Sequence, residues 1–389
     1  MQIRKSVLAL LLVAALLLGA AAVLLLGFFG ITDISIISKE DREKLEYYEK
    51  TYAKTESIKS FILENYYVDV DPDKIMESAY SGLVSGLDDP YSEYVTAEAY
   101  ADYVSSMLGE YSGVGMSFYN NEDGVLEVVQ VYRNSPAKAA GMQPGDIILE
   151  VDGKPYSGSE SSEAAANIRG TEGTDVTITY SRDGVRGTVT MTRAKIQVET
   201  VAYTMLEDNI GYIQIDSFEA ATDDDFEAAL DDLTKQGAKG LVIDLRNNGG
   251  GLVDVSVNIA DMLMGKATVV YTEDHNKKKG YYTTEEGRTE LPYVLLVNEY
   301  TASASEILAA GIQDNGEGKI VGTVTYGKGI IQTLMPWPDG SAVKITIQQY
   351  FTPSGKTIHK VGITPDYIVD LVEGDETDYQ LEKALEVLK

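Results

Sequence analysis

The stretch Val294-Leu-Leu-Val297-Asn-Glu-Tyr-Thr301-Ala-Ser303-Ala-Ser305-Glu306-Ile-Leu308 changes its periodicity halfway along. Val294 to Val297 is an apolar run suited to a buried strand, whereas Ile307, Leu308 and Ile312 return at helical spacing, so the serines fall where strand turns into helix. Backbone N–H groups at a helix start have no intrahelical partner and lie at the positive end of the macrodipole, so an oxyanion formed beside them is stabilised. A serine there can equally be nothing more than a cap.

Outward from this junction the same alternation recurs. Gly211 to Ile215 alternates as a strand, Asp223 to Gln236 reads as an amphipathic helix ended by Gly237, and Leu241 to Leu245 is a continuous apolar run of the kind found in strands covered on both faces. Arg246-Asn-Asn-Gly-Gly-Gly251 then leads into a helix from Leu252 to Met264. Alternating strands and helices predict an α/β layered core with parallel strands. The glycine-rich turn exposes N–H donors. A phosphate cradle is the competing reading, but no lysine and hydroxyl pair follows the glycines as a P-loop requires. Asp244 and Arg246 are expected to brace this turn. Further on, Val269 to Pro292 reads as a polar surface hairpin, Ser341 to Phe351 as a strand flanking a substrate channel, and Trp337 as a packed loop residue.

The chain of 389 residues has two histidines, both in polar stretches, and no cysteine. That composition argues against a Ser-His-Asp relay, a thiol nucleophile, a disulfide framework or a zinc constellation. A neutral lysine can activate serine instead, provided burial lowers its pKa from about 10.4 to roughly 7 or 8. Lys328 suits this: it is a lone cation between Gly327 and Gly329, followed by Ile330 and Ile331. The formal charge of −29 argues against nucleic acid as a partner, which needs a basic face. Hydrophobic residues make up 44% of the chain, enough for two or three domains with cores.

Arg4 and Lys5 precede a charge-free run from Val7 to Ile31, long enough to span a bilayer of about 30 Å as a helix. The basic flank predicts a cytoplasmic stub and an uncleaved anchor, with everything after Asp33 outside the cytoplasm. Lys39 to Tyr67 then reads as a helix with an apolar stripe of Leu45, Tyr48, Tyr52, Ile58, Ile62 and Tyr66, expected to pack as core in its own domain. A second helical stretch, Ile75 to Gly86, follows Pro72, and Leu87-Asp-Asp-Pro-Tyr-Ser-Glu-Tyr94 reads as a turn.

The middle segment opens with Tyr111-Ser-Gly113-Val114-Gly115-Met116-Ser-Phe118 and closes near Arg193. Two glycines before an alternating strand let successive backbone N–H groups converge on an anion. Together with Ser135-Pro-Ala-Lys-Ala-Ala-Gly141, Pro144-Gly-Asp-Ile-Ile-Leu-Glu-Val-Asp-Gly153 and the paired strands around Arg182-Asp-Gly184, this segment resembles a PDZ domain. The resemblance implies capture of a peptide's terminal carboxylate at Gly113, Val114 and Gly115, with an apolar pocket near Met116, Phe118 and Ile168.

Four ordered motifs, Thr301-Ala-Ser-Ala-Ser-Glu306, Gly327-Lys-Gly-Ile-Ile-Gln332, Asp244-Leu-Arg-Asn-Asn-Gly-Gly250 and Gly362-Ile-Thr-Pro-Asp366, resemble the C-terminal processing proteases, also called tail-specific proteases. That resemblance implies a crotonase-like α/β protease core at 195–389, an inserted PDZ domain at 108–194, an N-terminal helical region at 36–107 that packs on a second subunit as a homodimer, and a stub and transmembrane anchor at 1–35. It implies Ser303 as nucleophile, Lys328 as general base, Gln332 as the residue orienting the lysine, and the N–H groups of Gly249 and Ala304 as oxyanion hole. Arg169 resembles an arginine that couples peptide occupancy to the active site. No metal or organic cofactor is implied. The expected function is a serine endopeptidase, anchored in a bacterial cell membrane, that cleaves loose C-terminal tails. A catalytically inert peptide-binding scaffold and an acyl-thioester enzyme are the alternatives.

Overall fold

The structure is a computed structural model that describes residues 13–19, 38–121, 123–285, 287, 289–370 and 377–389. Most of the apolar run 7–31 lies outside the described residues; of it, 13–19 is helical. Among the described residues no helix is long and apolar enough to cross a membrane. The chain divides into two compact units, one up to Tyr80 and one from Ser81.

In the first unit α1 (Lys39–Asn65) is capped by Ser38, whose Oγ accepts from Asp41 N at 3.0 Å, with Glu40 and Asp41 favourably placed at the positive end of the dipole. The helix α2 (Pro72–Ser85) begins with proline, as its missing N–H allows. The stripe on α1 departs from expectation. Leu45, Tyr48, Tyr52, Ile58 and Tyr66 are exposed, and neither helix has a fully buried residue. A stripe becomes core only where an apolar surface meets it, and within this unit none of the described residues supplies one.

The second unit starts with β1 (Glu93–Val95) and α3 (Ala97–Met107), then runs through β2 (Glu110–Gly113), β3 (Met116–Asn120), β4 (Leu126–Val131), α4 (Pro136–Ala139), β5 (Ile147–Val151), β6 (Lys154–Pro155), α5 (Ser161–Ile168), β7 (Asp175–Arg182), β8 (Val185–Thr192) and β9 (Ala194–Gln197). Strands β3-β4-β5-β7-β8 form an antiparallel sheet with β6 on β5, closed over Leu126, Val128, Ile148, Ile178 and Met191. Entering and leaving this domain, β2 and β9 pair with each other, Glu110 opposite Gln197 and Gly113 opposite Ala194. At the tip of the β7–β8 hairpin Asp183 and Gly184 both have positive φ, 51° and 77°, which Asp and Gly tolerate.

The remainder comprises β10 (Val201–Met205), β11 (Ile210–Ile215), α6 (Thr222–Lys235), β12 (Gly240–Asp244), α7 (Val253–Leu263), β13 (Thr268–Asp274), β14 (Lys279–Thr283), β15 (Tyr293–Val297), α8 (Ala304–Asn315), β16 (Lys319–Gly322), β17 (Ile330–Pro336), β18 (Ala342–Phe351), β19 (Tyr367–Ile368) and α9 (Tyr379–Val387). Its main sheet has the order β10-β11-β12-β15-β16-β19, parallel except for β10. Every residue of β12 and β15 is buried, because α6, α7 and α8 cover one face and α9 the other. The α/β reading of the alternating segments therefore holds. A second, antiparallel sheet orders β1-β18-β13-β14, with β17 also on β18.

Two expectations change here. The segment 269–292 does contain a hairpin, but β13 is an internal strand, since β18 pairs with its other edge, and Val269 and Val270 are wholly buried. Trp337 is 55% exposed, because it sits in the tight turn joining β17 to β18.

Candidate active site

The turn after β12 is fastened by its own asparagines. Asn248 Nδ2 donates to Ile215 O at 2.8 Å, its Oδ1 accepts from Gly250 N at 2.9 Å, and its carbonyl accepts from Ala302 N at 3.0 Å. Asn247 N donates to Asn298 Oδ1 at 2.9 Å, and Thr301 Oγ1 donates to Leu245 O at 2.8 Å, so the turns after β12 and β15 are stitched side by side. Gly250, with φ 103°, has to be glycine: a Cβ there would lie 2.7 Å from Ser303 Cβ and 3.0 Å from Ala304 N. As expected, Asp244 and Arg246 brace the turn. The Arg246 guanidinium bonds both Asp244 and Asp378 and is held far above the ordinary arginine range by these carboxylates, against the desolvation that burial imposes.

Ser303 sits immediately before α8 with φ 59° and ψ −118°, a backbone conformation costing a non-glycine residue on the order of 1–3 kcal/mol. What holds it there is Glu306, wholly buried one turn into the helix. Its carboxyl accepts from Ser303 N at 2.9 Å, Thr325 Oγ1 at 2.6 Å, Gly327 N at 2.7 Å and Lys328 N at 2.8 Å. One side chain thus fixes the backbones of Ser303 and Lys328 together. Ser305 is different: it is buried, and its hydroxyl donates to Asn248 O at 3.1 Å, bracing the turn rather than facing the cleft.

Ser303, Lys328, Gln332, Gly249 and Gly250 line one cavity of about 480 Å³, together with Tyr350 and Lys344 from β18 and Leu252 from the start of α7. The Tyr350 hydroxyl is buried between the carbonyl oxygens of Ser303, at 3.1 Å, and Lys328. Among the described residues neither Gly249 N nor Ala304 N has an acceptor, so both amides remain available at the helix start. Lys328 is half-buried, and desolvation first and the nearby Lys344 second hold its amine below the ordinary lysine range, with Glu306 and Asp89 opposing. Its Nζ lies 5.0 Å from the centroid of the Tyr91 ring and is not hydrogen-bonded to Ser303 Oγ. Gln332 shares the cavity, but its Nε2 donates to Thr346 Oγ1 at 3.2 Å. Among the described residues no group of three His, Asp or Glu side chains is placed to hold a metal ion.

A second cavity of about 480 Å³ lies in the β2–β9 domain, lined by Met116, Phe118, Ile168, Tyr111 and Arg169. Gly113, Val114 and Gly115 are buried and do not themselves line it, although Met116 beside them does. Gly113 lies so close to the Tyr111 ring that a Cβ would be 2.6 Å from Cε2. Burial pushes the Tyr111 pKa up to about 12, with the Arg169 guanidinium and the nearby Met116 and Gly115 amides pulling the other way. Arg169 is exposed and stacks over the same ring at 5.1 Å.

Three contributors went unnoticed in the sequence. Glu306 was legible only as the N3 position of a capping box, where a Glu three residues after a Ser is the signal. Tyr350 lies in the strand expected to flank a substrate channel and Tyr91 in the turn 87–94, but nothing local singles out either side chain.

Residues 209–369 match the profile of peptidase family S41, residues 112–192 that of the PDZ domain, and residues 30–99 that of the activating protease CtpB N-terminal domain. The chain is 37% identical over 321 residues to the carboxy-terminal processing protease CtpA of Bacillus subtilis (strain 168), covering 82% of this chain and 69% of that one. It is 40% identical over 334 residues to a carboxyl-terminal-processing protease of a Picosynechococcus species, covering 82% and 80%. The solved photosystem II D1 C-terminal processing protease superposes with a TM-score of 0.50 at 30% identity, over 85% of this chain and 89% of that one. With the motifs, the fold and these likenesses in agreement, the chain belongs to peptidase family S41 and is a serine-type, C-terminal processing protease that carries a PDZ domain.

Proposed function

We propose that this protease cuts the unstructured C-terminal tails of proteins with a Ser303–Lys328 dyad, from an anchor formed by the apolar run 7–31, on the outer side of a bacterial cell membrane. The observation that carries the reading is that Ser303 and the downshifted amine of Lys328 line one cavity beside two unbonded amides. Lys328 Nζ, moved off Tyr91, takes the proton of Ser303 Oγ as the oxygen attacks the scissile carbonyl. The developing oxyanion is met by the N–H groups of Gly249 and Ala304. Lys328 then gives its proton to the leaving amine; water, deprotonated by the neutral Lys328, attacks the acyl carbon, and Ser303 Oγ leaves with the proton that Lys328 returns to it. Gln332 orients Lys328 once its amide turns from Thr346.

The PDZ domain receives the substrate's last residue, with Gly113, Val114 and Gly115 at its carboxylate and Met116, Phe118 and Ile168 around an apolar side chain. Arg169, released from Tyr111, links occupancy of that groove to the cleft. The homodimer implied by the family resemblance would cover the exposed stripe of α1. An inert peptide-binding scaffold is the second reading, favoured by the missing bond between Ser303 and Lys328.

Incubation of the full chain with an unstructured peptide, read by mass spectrometry, decides between them. The dyad requires cleavage by wild type and none by Ser303→Ala or Lys328→Ala at unchanged folding. Undiminished cleavage by Ser303→Ala removes the reading, and a well-folded wild type that never cleaves supports the scaffold. Flotation of the protein with membranes, lost on deleting residues 1–35, tests the anchor.

A further inference from the structure

The turn 88–92 is pinned to the protease core at several points. Asp89 accepts from Tyr91 N at 3.1 Å and from Ser92 Oγ at 2.6 Å, and Ser92 Oγ accepts in turn from Thr346 N of β18 at 3.0 Å. Immediately after it β1 pairs with β18, Glu93 opposite Lys344 and Val95 opposite Ala342, with a salt bridge of 2.9 Å between Glu93 and Lys344. Tyr91 and Tyr326 line one small cavity beside Asp89 and Gly327. These contacts leave the Tyr91 ring little freedom, and it faces Lys328 Nζ at 5.0 Å from its centroid, inside the roughly 6 Å over which a cation feels an aromatic face.

A ring quadrupole attracts an ammonium and has almost no hold on a neutral amine. Lys328 Nζ has no hydrogen bond to Ser303 Oγ or to Gln332 in this arrangement. We propose that Tyr91 is a positioning residue for the general base: its ring is the seat of the Lys328 ammonium, and loss of the proton frees the amine to swing to Ser303. Protonation state and position are thereby coupled. The lysine rests as a cation away from the nucleophile and becomes mobile in the form that can accept the serine proton.

Other charges around Lys328 set the background against which the ring acts. Lys344 on β18 disfavours the ammonium, Glu306 on α8 and Asp89 in the turn favour it, and Glu219 and Tyr350 face the same cavity. His359 lies against the Gly327–Gly329 loop from the opposite side, where a Cβ on Gly329 would be 2.8 Å from His359 Cα. Tyr91→Phe and Tyr91→Leu leave all of these in place and both keep the site dry, but only phenylalanine retains an aromatic face.

The inference rests on the Ser303–Lys328 reading, and its test separates the two. The pH profile of kcat/KM on an unstructured peptide is measured for the full-length wild type, Tyr91→Phe, Tyr91→Leu and Tyr91→Trp, with Lys328→Ala as control. The Lys328 amine is also titrated directly by NMR in Ser303→Ala protein with and without Tyr91→Leu. We expect Tyr91→Leu to move the acid limb and the directly titrated pKa down by about half to one pH unit, Tyr91→Phe to keep the wild-type limb, and Tyr91→Trp to move it up. Equal shifts in Phe and Leu, or none in Leu, overturn the seat while leaving the dyad standing. Full activity in Lys328→Ala overturns both. If Tyr91→Leu does not fold, Tyr91→Trp decides: an upward limb supports the seat and an unmoved one removes it.

Discussion

The turns at 248–251 and 113–116 are both glycine-rich, both reach a cavity of about 480 Å³, the second through Met116, and differ in what their amides meet. At the protease turn the amide of Gly249, like that of Ala304 beside it, has no acceptor among the described residues. In the PDZ domain the amides of Gly115 and Met116 lie near the Tyr111 hydroxyl and help to pull its pKa down. The first arrangement suits charge that exists only during reaction, because preorganised donors need no rearrangement when it develops. The second suits a ground-state ligand, whose carboxylate must displace a neutral hydroxyl and gains the stronger, charge-assisted bonds in doing so. On the proposed function, binding station and catalytic station use the same backbone device at different points of the reaction.

Four perturbations test this contrast, beginning with the largest. Replacing the base by Lys328→Met should lower kcat/KM by at least about 1,000-fold, as loss of a general base in a serine hydrolase does. The same change should raise the melting temperature at pH 7. The sign follows from the lowered pKa of Lys328: between its folded and unfolded values the unfolded chain binds more protons, so stability rises with pH there, and below that window the buried charge weighs fully against folding. A calorimetric scan showing Lys328→Met less stable than wild type at pH 7 contradicts this.

Second, Glu306→Ala strands the buried donors of Thr325, Gly327 and Lys328 and should cost at least about 3 kcal/mol in urea unfolding, together with nearly all activity. Stability within about 0.5 kcal/mol of wild type would mean that the Ser303 backbone does not depend on this carboxyl.

Third, Tyr111→Phe removes the hydroxyl that lies near the amides of Gly115 and Met116 and should tighten binding of a C-terminal peptide by about 3–10-fold, the worth of one neutral hydrogen bond. Titration calorimetry on catalytically dead Ser303→Ala protein reads this without turnover. An unchanged or weaker affinity breaks the comparison between the two turns.

The smallest effect concerns Glu219 at the rim of the protease cavity. Its buried Oε2 has no partner, and burial raises its pKa against the lowering effect of Ser217. A raised folded pKa means that the protonated form is favoured, so stability is lost as pH climbs through that value. Glu219→Gln should therefore raise the melting temperature by about 1–2 °C at pH 8 and by nothing at pH 4. A gain of equal size at both pH values would point to packing instead.

Much of this was legible before any coordinates. The helices α6 and α7 and the strands β11, β12 and β15 could be placed because local hydrophobic periodicity survives in them, and covered strands read as continuous apolar runs. Ser303, Lys328, Gln332, Gly249 and Ala304 were nominated from motifs, and the fold brings them to one cleft end. Burial was less legible. The stripe of α1 has core-like spacing yet lies exposed, while Val269 and Val270, in a stretch otherwise polar, are buried in the main core, Val269 against Gly311 of α8. Periodicity reports which residues share a face, and it is silent on whether anything covers that face.

By itself the sequence determined the succession of strands and helices, the glycine turns that expose backbone amides, and the shortage of histidine and cysteine that argues against a histidine or thiol relay. Those properties are local or compositional, set by residues within a few positions of one another. Only the tertiary structure decided that Glu306 binds Ser303 to the 327–328 loop, that Tyr350 closes over both carbonyls, that the Tyr111 hydroxyl lies near the Gly115 and Met116 amides, and that Lys328 rests on Tyr91. Apart from the Glu306–Ser303 capping contact and the short reach of Tyr111, these join segments tens to hundreds of residues apart. Hydrogen-bond geometry and the aromatic field act over a few ångströms of space, and no spacing along the chain encodes that proximity.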